Sequence, residues 1–327
     1  MRNRTLEIAP VSSPLRAAFA ISRGAKTQAH TVQVRLTQGE HAGRGECVPY
    51  ARFGETVESV AAAIEGMRGA VEAGLGRTEL QTALPAGAAR CALDCAMWDL
   101  EAKQSGRPVW QLADLPEPKP VETAVTLSLD TPDAMASAAL AAPGSLLKLK
   151  LGGPEDLDRI KAVHRARPGA RLILDGNEGI DAAAYPGLAR AAAGLGAVLI
   201  EQPFPAGQDE ALNKRPGPVA VCADESAHTS ADIQRLARCY DAVNVKLDKA
   251  GGLTEALAMV RLARQSGMGV MIGCMVAGSL SMAPAVLLAG LADAADVDGP
   301  LWLEQDIADG LVFTGGRVAQ PTPALWG

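Results

Sequence analysis

Residues 146–175 read LLKLKLGGPEDLDRIKAVHRARPGARLILD. A leucine-rich run, 146–150, ends on Lys150, a helix-compatible stretch follows, and a second apolar run, 171–175, ends on Asp175. This is one strand–helix–strand unit, and its rhythm recurs along most of the chain. The pattern predicts strands at 122–126, 146–150, 171–175, 197–201, 219–223, 242–246, 268–272 and 295–297, separated by alanine-rich helical stretches. Eight such units imply an α/β fold of the closed parallel (β/α)8 type.

Toward the N-terminus the pattern differs. Segments 4–9 and 31–37 suit strands, 39–45 is turn-prone, and 55–71 and 86–103 carry helical periodicity, the second with Leu93, Met97 and Leu100 in register. Strands followed by helices predict an α+β capping domain over 1–118. Pro116, Pro118 and Pro120 form the linker, since alternating prolines cannot continue a helix. The barrel domain then spans 119–301. A C-terminal segment, 302–327, holds a predicted hairpin of 311–314 and 317–319 that has the means to return to the cap.

Composition narrows the classes of function. Lysine and arginine number 31 against 37 acidic residues, a net charge of −6 without runs of like charge, which argues against a nucleic-acid partner. No stretch has the length and apolarity of a membrane span. The six cysteines lack zinc-site spacing, and no secretory signal is legible, so a cytoplasmic protein with reduced thiols is expected. Cys91 and Cys95 fit a helix core. His30, His41, His164 and His228 fit no triad or metal spacing.

The residues that end successive strands carry the chemistry. Lys150, Asp175, Glu201, Asp224 and Lys246 follow one another at 25, 26, 23 and 22 residues, one strand–helix unit each time. In a parallel barrel the C-terminal strand ends meet on one face. Each residue alone has an ordinary explanation, such as an Asp that caps a helix. Together they place three carboxylates in one cavity, which repel unless a cation neutralises them. Asp175, Glu201 and Asp224 are therefore the expected ligands of a single Mg²⁺, a hard cation that takes carboxylate oxygens and keeps open positions. Calcium or manganese could substitute in the tube.

Lys150 and Lys246, four units apart in a ring of eight, flank that metal from opposite sides. Removal of a proton α to a carboxylate makes an enediolate that needs concentrated positive charge. One neutral and one charged lysine then allow a proton to leave one face and return on the other. Lys148, on the same strand face as Lys150, disfavours a second ammonium there and reaches toward a substrate carboxylate. A solvated edge strand would also explain Lys148 and Lys150, but leucines at 146, 147, 149 and 151 surround them and a barrel strand has no exposed edge.

These strings resemble the enolase superfamily, its muconate-lactonizing subgroup, and within it the L-Ala-D/L-Glu dipeptide epimerases. They are Lys148-Leu149-Lys150, Asp175-Gly176-Asn177-Glu178, Glu201-Gln202-Pro203, Asp224-Glu225-Ser226 and Asn244-Val245-Lys246-Leu247-Asp248-Lys249. The likeness covers nearly the whole chain, including Gly45-Glu46-Cys47, Pro49-Tyr50, Gly54-Glu55 and the helix near residues 86–100. It implies an enolase-like modified barrel, Lys150 and Lys246 as acid/base catalysts, and one Mg²⁺ on Asp175, Glu201 and Asp224. By the same likeness Asp296 and Asp298, an Asp-x-Asp element, bind a substrate α-ammonium; Arg23, on a cap loop, grips a glutamyl carboxylate bidentately. Asp298-Gly299-Pro300 is also ordinary turn chemistry, and a solvated loop arginine is the alternative for Arg23. Thr126, Cys274 and Met275 are expected to line the substrate pocket, Cys274 without a nucleophilic role. Ala277 and Gly278 are smaller than the residues often found there, which relaxes the choice of dipeptide.

The resemblance implies epimerisation of the glutamyl carbon of L-Ala-D/L-Glu, an isomerase reaction of use in recycling cell-wall peptide. The expected partners are a small-molecule dipeptide and further copies of the chain as a homo-oligomer, with no nucleic acid or membrane. An o-succinylbenzoate synthase or cycloisomerase would use the same metal and lysines, but neither substrate has an ammonium for Asp296 and Asp298. A barrel that only binds would leave repelling charges buried without use.

Overall fold

The computed structural model describes residues 4–212 and 218–327. Three antiparallel strands, β1 (Arg4–Ile21), β2 (Gly24–Gln38) and β3 (His41–Cys47), begin the chain in the order β1-β2-β3. The first two are far longer than the expected 4–9 and 31–37. They pair from Arg4 with Gln38 to Ile21 with Gly24, with one register shift between Pro14 and Phe19. Pro10 and Pro14 hide this strand from a propensity reading, yet β1 is a sheet edge, where a proline costs no interior hydrogen bond.

The stretch 39–45, expected as a turn, is corrected: only Gly39 and Glu40 turn, and β3 begins at His41. Its glycines serve packing. A Cβ on Gly43 would lie 2.2 Å from the Ala96 carbonyl oxygen, and one on Gly45 2.1 Å from that of Ala92. The helix Ala88–Ser105 thus rests directly on the sheet. The expected helix 55–71 is two, Val57–Gly66 and Arg68–Glu72, the first closed at its start by a capping box between Thr56 and Ser59.

After β4 (Val121–Glu122), eight strands form one sheet: β5 (Val125–Leu127), β6 (Leu146–Lys150), β7 (Arg171–Asp175), β8 (Ala197–Glu201), β9 (Ala220–Ala223), β10 (Ala242–Val245), β11 (Gly269–Ile272) and β12 (Ala294–Ala295). They lie in sequence order and pair in parallel. The two ends meet where the Ala124 N–H donates to the Ala295 carbonyl at 2.7 Å and the Val297 N–H to Thr123 Oγ1 at 2.9 Å. The expected strand 122–126 splits in two. Its first residues, β4, leave the barrel and pair with a C-terminal hairpin of β13 (Phe313–Thr314) and β14 (Arg317–Val318). Beyond that hairpin the chain reaches the cap: Trp326 Nε1 donates to the Cys95 carbonyl at 3.0 Å and the Gly327 N–H to Asp99 Oδ1 at 2.7 Å.

Strand alternation sorts the barrel interior by height. Ala124, Leu146, Ile173, Leu199, Cys222, Ala242 and Met271 make a separate apolar layer. Residues two positions further along the same face include Lys148, Asp175, Glu201, Asp224 and Asn244. The polar layer therefore lies above an apolar floor, at the C-terminal mouth. No helix among the described residues is long and apolar enough to cross a membrane.

Candidate active site

Register sets the first contacts. Lys150 on β6, Asp175 on β7 and Glu201 on β8 are lateral partners on adjacent strands. Lys150 Nζ donates to Asp175 Oδ2 at 2.6 Å. On the opposite wall Lys246, just past β10, donates to Asp224 Oδ2 at 2.7 Å, and Lys249 to Asp224 Oδ1 at 2.6 Å. Lys148 is 1% exposed and contributes no surface to the cavity above. Its ammonium sits beneath the carboxylates, 2.7 Å from Asp296 Oδ2, 2.8 Å from Glu201 Oε2 and 3.1 Å from Asp175 Oδ2. One small cation therefore already joins three acidic side chains.

The charges respond to this crowding. Burial opposes the ionised form of Asp175, but Lys148 and Lys150 outweigh it and hold the carboxyl well below its ordinary range. Asp224 is likewise held down, against burial, by Lys246, Lys249 and Lys148. Glu201 goes the other way, pushed up to about 7 by burial and by Asp175. Burial opposes the charge on Lys148, yet Asp175, Asp296, Glu201 and Asp224 keep its ammonium firmly protonated.

Among the described residues no three His, Cys, Asp or Glu side chains converge at coordinating distance as they stand, because each carboxylate is turned onto a lysine. The donor set nevertheless fits a hard cation. Glu225 Oε2, Asn177 Oδ1 and Asn244 Oδ1 are buried oxygens with no hydrogen-bond partner, while Glu201 Oε2 has only the Lys148 ammonium as its ion-pair partner. Unsatisfied buried acceptors are costly, and a cation that takes oxygen ligands would relieve them. The backbone here is strained too: Asn177 and Glu178 follow Asp175 with φ of 40° and 69°, and Gln202 follows Glu201 at 32°.

The cap closes this mouth with the tip of the β1–β2 hairpin. Ser22 Oγ donates to the Asn177 carbonyl at 3.0 Å, and the Ala20 N–H to Ser128 Oγ at 2.7 Å. Both terminal nitrogens of Arg23 are engaged: Nη1 donates to the Asn177 carbonyl at 2.7 Å and Glu178 Oε2 at 3.1 Å, and Nη2 to Glu225 Oε1 at 2.8 Å and the Tyr50 hydroxyl at 3.0 Å. Arg52 adds a bidentate grip on Glu178, at 2.8 Å on both oxygens. Between cap and barrel lies a cavity of about 490 Å³, in the range that takes a small molecule.

Thr126, Arg23, Lys150, Asp224, Lys246, Cys274, Met275, Asp296 and Asp298 line that cavity; Asp175 and Glu201 are fully buried and do not line it. Thr126 joins the acidic pair, its N–H donating to Asp298 Oδ2 at 2.7 Å and its hydroxyl lying 3.2 Å from both Asp296 Oδ1 and Asp298 Oδ1. Burial and Asp296 push Asp298 up to about 7. Burial raises the Cys274 thiol well above its ordinary value, against any nucleophilic role.

Several neighbours that the sequence offered only within motif strings, without a role, complete the site. Asn244 Nδ2 orients Glu201 at 2.7 Å, Lys249 also donates to the Asp224 carbonyl, and Glu225 and Tyr50 anchor Arg23. Asn244 was legible, lying two residues before Lys246 on the same strand face; the others depend on loop paths. Lys26 also lines the cavity.

Comparison with known proteins follows the same division of the chain. Residues 3–113 match the mandelate racemase / muconate lactonizing enzyme N-terminal domain, and residues 133–324 the enolase C-terminal domain-like family. The L-Ala-D/L-Glu epimerase of Escherichia coli (strain K12) is 42% identical over 96% of this chain and 99% of its own length. The N-acetyl-D-glutamate racemase of a Pseudoalteromonas species is 41% identical, covering 90% and 95%. A crystal structure of an enolase family member from Agrobacterium tumefaciens, described as homologous to dipeptide epimerases and holding sodium and L-Ala-L-Glu with an ordered loop, superposes with a TM-score of 0.97. It is 46% identical and covers 99% of this chain and 100% of that one.

Proposed function

The chain belongs to the mandelate racemase / muconate lactonizing enzyme family of the enolase superfamily, and from that premise we propose that it epimerises the glutamyl α-carbon of L-Ala-D/L-Glu dipeptides. The observation that carries the reading is the opposed pair of lysines: Lys150 and Lys246 stand four strands apart in a ring of eight, both facing one cavity. A carbon held between them can lose its proton to one amine and regain it from the other, which inverts the centre.

Asp175, Glu201 and Asp224 would hold one Mg²⁺, with Lys148 in support below. When bound, the ion supplies the positive charge that an α-carboxylate needs as its neighbouring carbon loses a proton. Asp296 and Asp298 would take the substrate ammonium, with Thr126 fixing their orientation. Cys274 and Met275 would shape the pocket wall; Arg23 stands at the rim with its terminal nitrogens already paired to Glu178 and Glu225, so a glutamyl carboxylate would have to displace one of them to be gripped bidentately. The expected setting is the cytoplasm, consistent with six free cysteines, and a homo-oligomer that returns cell-wall peptide to metabolism.

A second reading, racemisation of N-acylated glutamate, is favoured by the racemase of comparable identity. The Asp296–Asp298 pair weighs against it, because an acylated nitrogen carries no charge for two carboxylates to hold. The deciding experiment incubates L-Ala-L-Glu, and separately N-acetyl-L-glutamate, with enzyme and Mg²⁺ in D₂O and follows the α-proton by NMR. Exchange with inversion is expected on the dipeptide, stopped by chelation and restored by added Mg²⁺. Absence of exchange on both would overturn the reaction class, and exchange on the acyl amino acid alone would replace the first reading with the second.

A further inference from the structure

Gln202 follows the proposed metal ligand Glu201 and is fully buried, outside the lining of the cavity. Its main chain joins three strand ends. The Gln202 N–H donates to the Cys222 carbonyl on β9 at 2.9 Å, and its own carbonyl accepts the Glu178 N–H from the loop after β7 at 2.9 Å. It does so at a φ of 32°, in the left-handed region, which a residue with a side chain keeps only where its surroundings hold it there.

The side chain uses its whole amide. Oε1 accepts the Asp224 N–H at 2.8 Å and the Ser226 N–H at 3.1 Å. Nε2 donates toward the Phe204 carbonyl at 2.8 Å, Ser226 Oγ at 3.0 Å and the Tyr240 hydroxyl at 3.0 Å. Both hydroxyls give their own protons to Asp209 Oδ1, at 2.6 and 2.7 Å, so toward Gln202 they can only accept. The amide is therefore fixed in one orientation, with its oxygen on the main chain that carries Asp224.

One residue thus fastens the loop after Asp175 and the segment that carries Asp224 to the strand end that carries Glu201. On the proposed reading of these three as ligands of one Mg²⁺, we infer that Gln202 is a positioning residue, which holds them at the spacing a small cation needs. Mg²⁺ demands near-octahedral oxygens at about 2.0–2.1 Å, whereas Ca²⁺ accepts a looser set at about 2.3–2.6 Å. Three carboxylates on separately mobile strand ends would spread to suit the larger ion. Joined through one fully bonded amide, they are kept close.

The test measures Mg²⁺ and Ca²⁺ binding by calorimetry on metal-free wild type, Gln202→Met, Gln202→Asn and Gln202→Glu, with far-ultraviolet spectra to report folding. Gln202→Met keeps the length of the side chain and removes its hydrogen bonds. It should raise the Mg²⁺ Kd about 10–100-fold, as loss of a partner behind a metal ligand does, and the Ca²⁺ Kd by no more than a few-fold. Gln202→Asn draws the amide back by one carbon; it should shift the two ions in the same sense, and it carries the test if the methionine variant does not fold. Gln202→Glu, whose carboxyl stays protonated when buried among acids, keeps an oxygen for both N–H groups and should hold Mg²⁺ within a few-fold of wild type. Unchanged Mg²⁺ affinity in the folded Met or Asn variant, equal losses for both ions, or a Glu variant as weak as Gln202→Met would overturn the role given to Gln202 and leave the metal ligands standing. A wild type that takes up neither ion would overturn the ligand reading, and the role of Gln202 with it.

Discussion

Lys150 and Asp175 are register partners on neighbouring barrel strands, and the ammonium of one donates to the carboxylate of the other at 2.6 Å. Lys246 repeats the arrangement with Asp224 at 2.7 Å from the far wall. Each proposed proton carrier is thus tethered to a proposed metal ligand, so the chemistry of proton transfer and cation binding share one scaffold.

Lys150→Ala and Lys246→Ala should each cut inversion of L-Ala-L-Glu by at least about 10²–10⁴-fold, the contribution of a positioned general acid or base. Circular dichroism or NMR reports inversion, and far-ultraviolet spectra report folding. Full inversion by either variant would remove that lysine from the reaction.

Asp298→Asn should raise KM for L-Ala-L-Glu by about tenfold, since a neutral amide is a weaker partner for an ammonium. The Thr126 N–H keeps an oxygen acceptor in the variant, so the loop should hold its shape. Steady-state kinetics on the dipeptide against an analogue without the amino group separates the cases. Equal losses on both would reject the ammonium site.

Glu178 ties both Arg23 and Arg52 to the barrel from a left-handed backbone conformation, φ 69°. Glu178→Gln should loosen the hairpin tip. Faster amide exchange across 19–26 and a several-fold rise in KM, with kcat nearly constant, are expected. Unchanged exchange in that segment would show that the clasp is not what secures it.

Asp248 is buried with a single recorded hydrogen bond, from the Val48 N–H at 2.7 Å, and Glu55 and Glu46 add repulsion. Its carboxyl is pushed from 3.8 up to about 7, chiefly by burial. Below about pH 4 it is neutral in both the folded and unfolded chain. Between about pH 4 and 7 only the unfolded chain ionises it, so stability from this site is lost across that window and levels off above it. Asp248→Asn keeps an acceptor and cannot ionise. Relative to wild type it should gain up to about 4 kcal/mol between about pH 4 and 8, read from urea midpoints. A constant difference across that range would show that Asp248 is ionised in the fold.

The barrel was legible because each strand ends on a residue whose charge contrasts with the apolar run before it, as in Leu149-Lys150 and Leu174-Asp175. Those ends also pointed to the layer of lysines and carboxylates. What stayed hidden depends on contacts distant in sequence. β3 was concealed by Gly43 and Gly45, which read as turn residues until the helix carbonyls of Ala92 and Ala96 come within touching distance. Lys26 sits in a polar hairpin arm where nothing local distinguishes it, and only its pairing with Phe19 brings it over the mouth. The fate of Arg23 was equally obscure, since its partners lie on loops after three different strands or helices.

The hairpin that roofs the cavity and the strand ends that floor it come from separate stretches of chain, joined at the mouth by Ser22, Arg23 and Ala20. Substitutions near the tip can therefore alter which acid is admitted while every proton-handling group keeps its place. An engineer seeking a new preference would redraw the lid and leave the hearth alone.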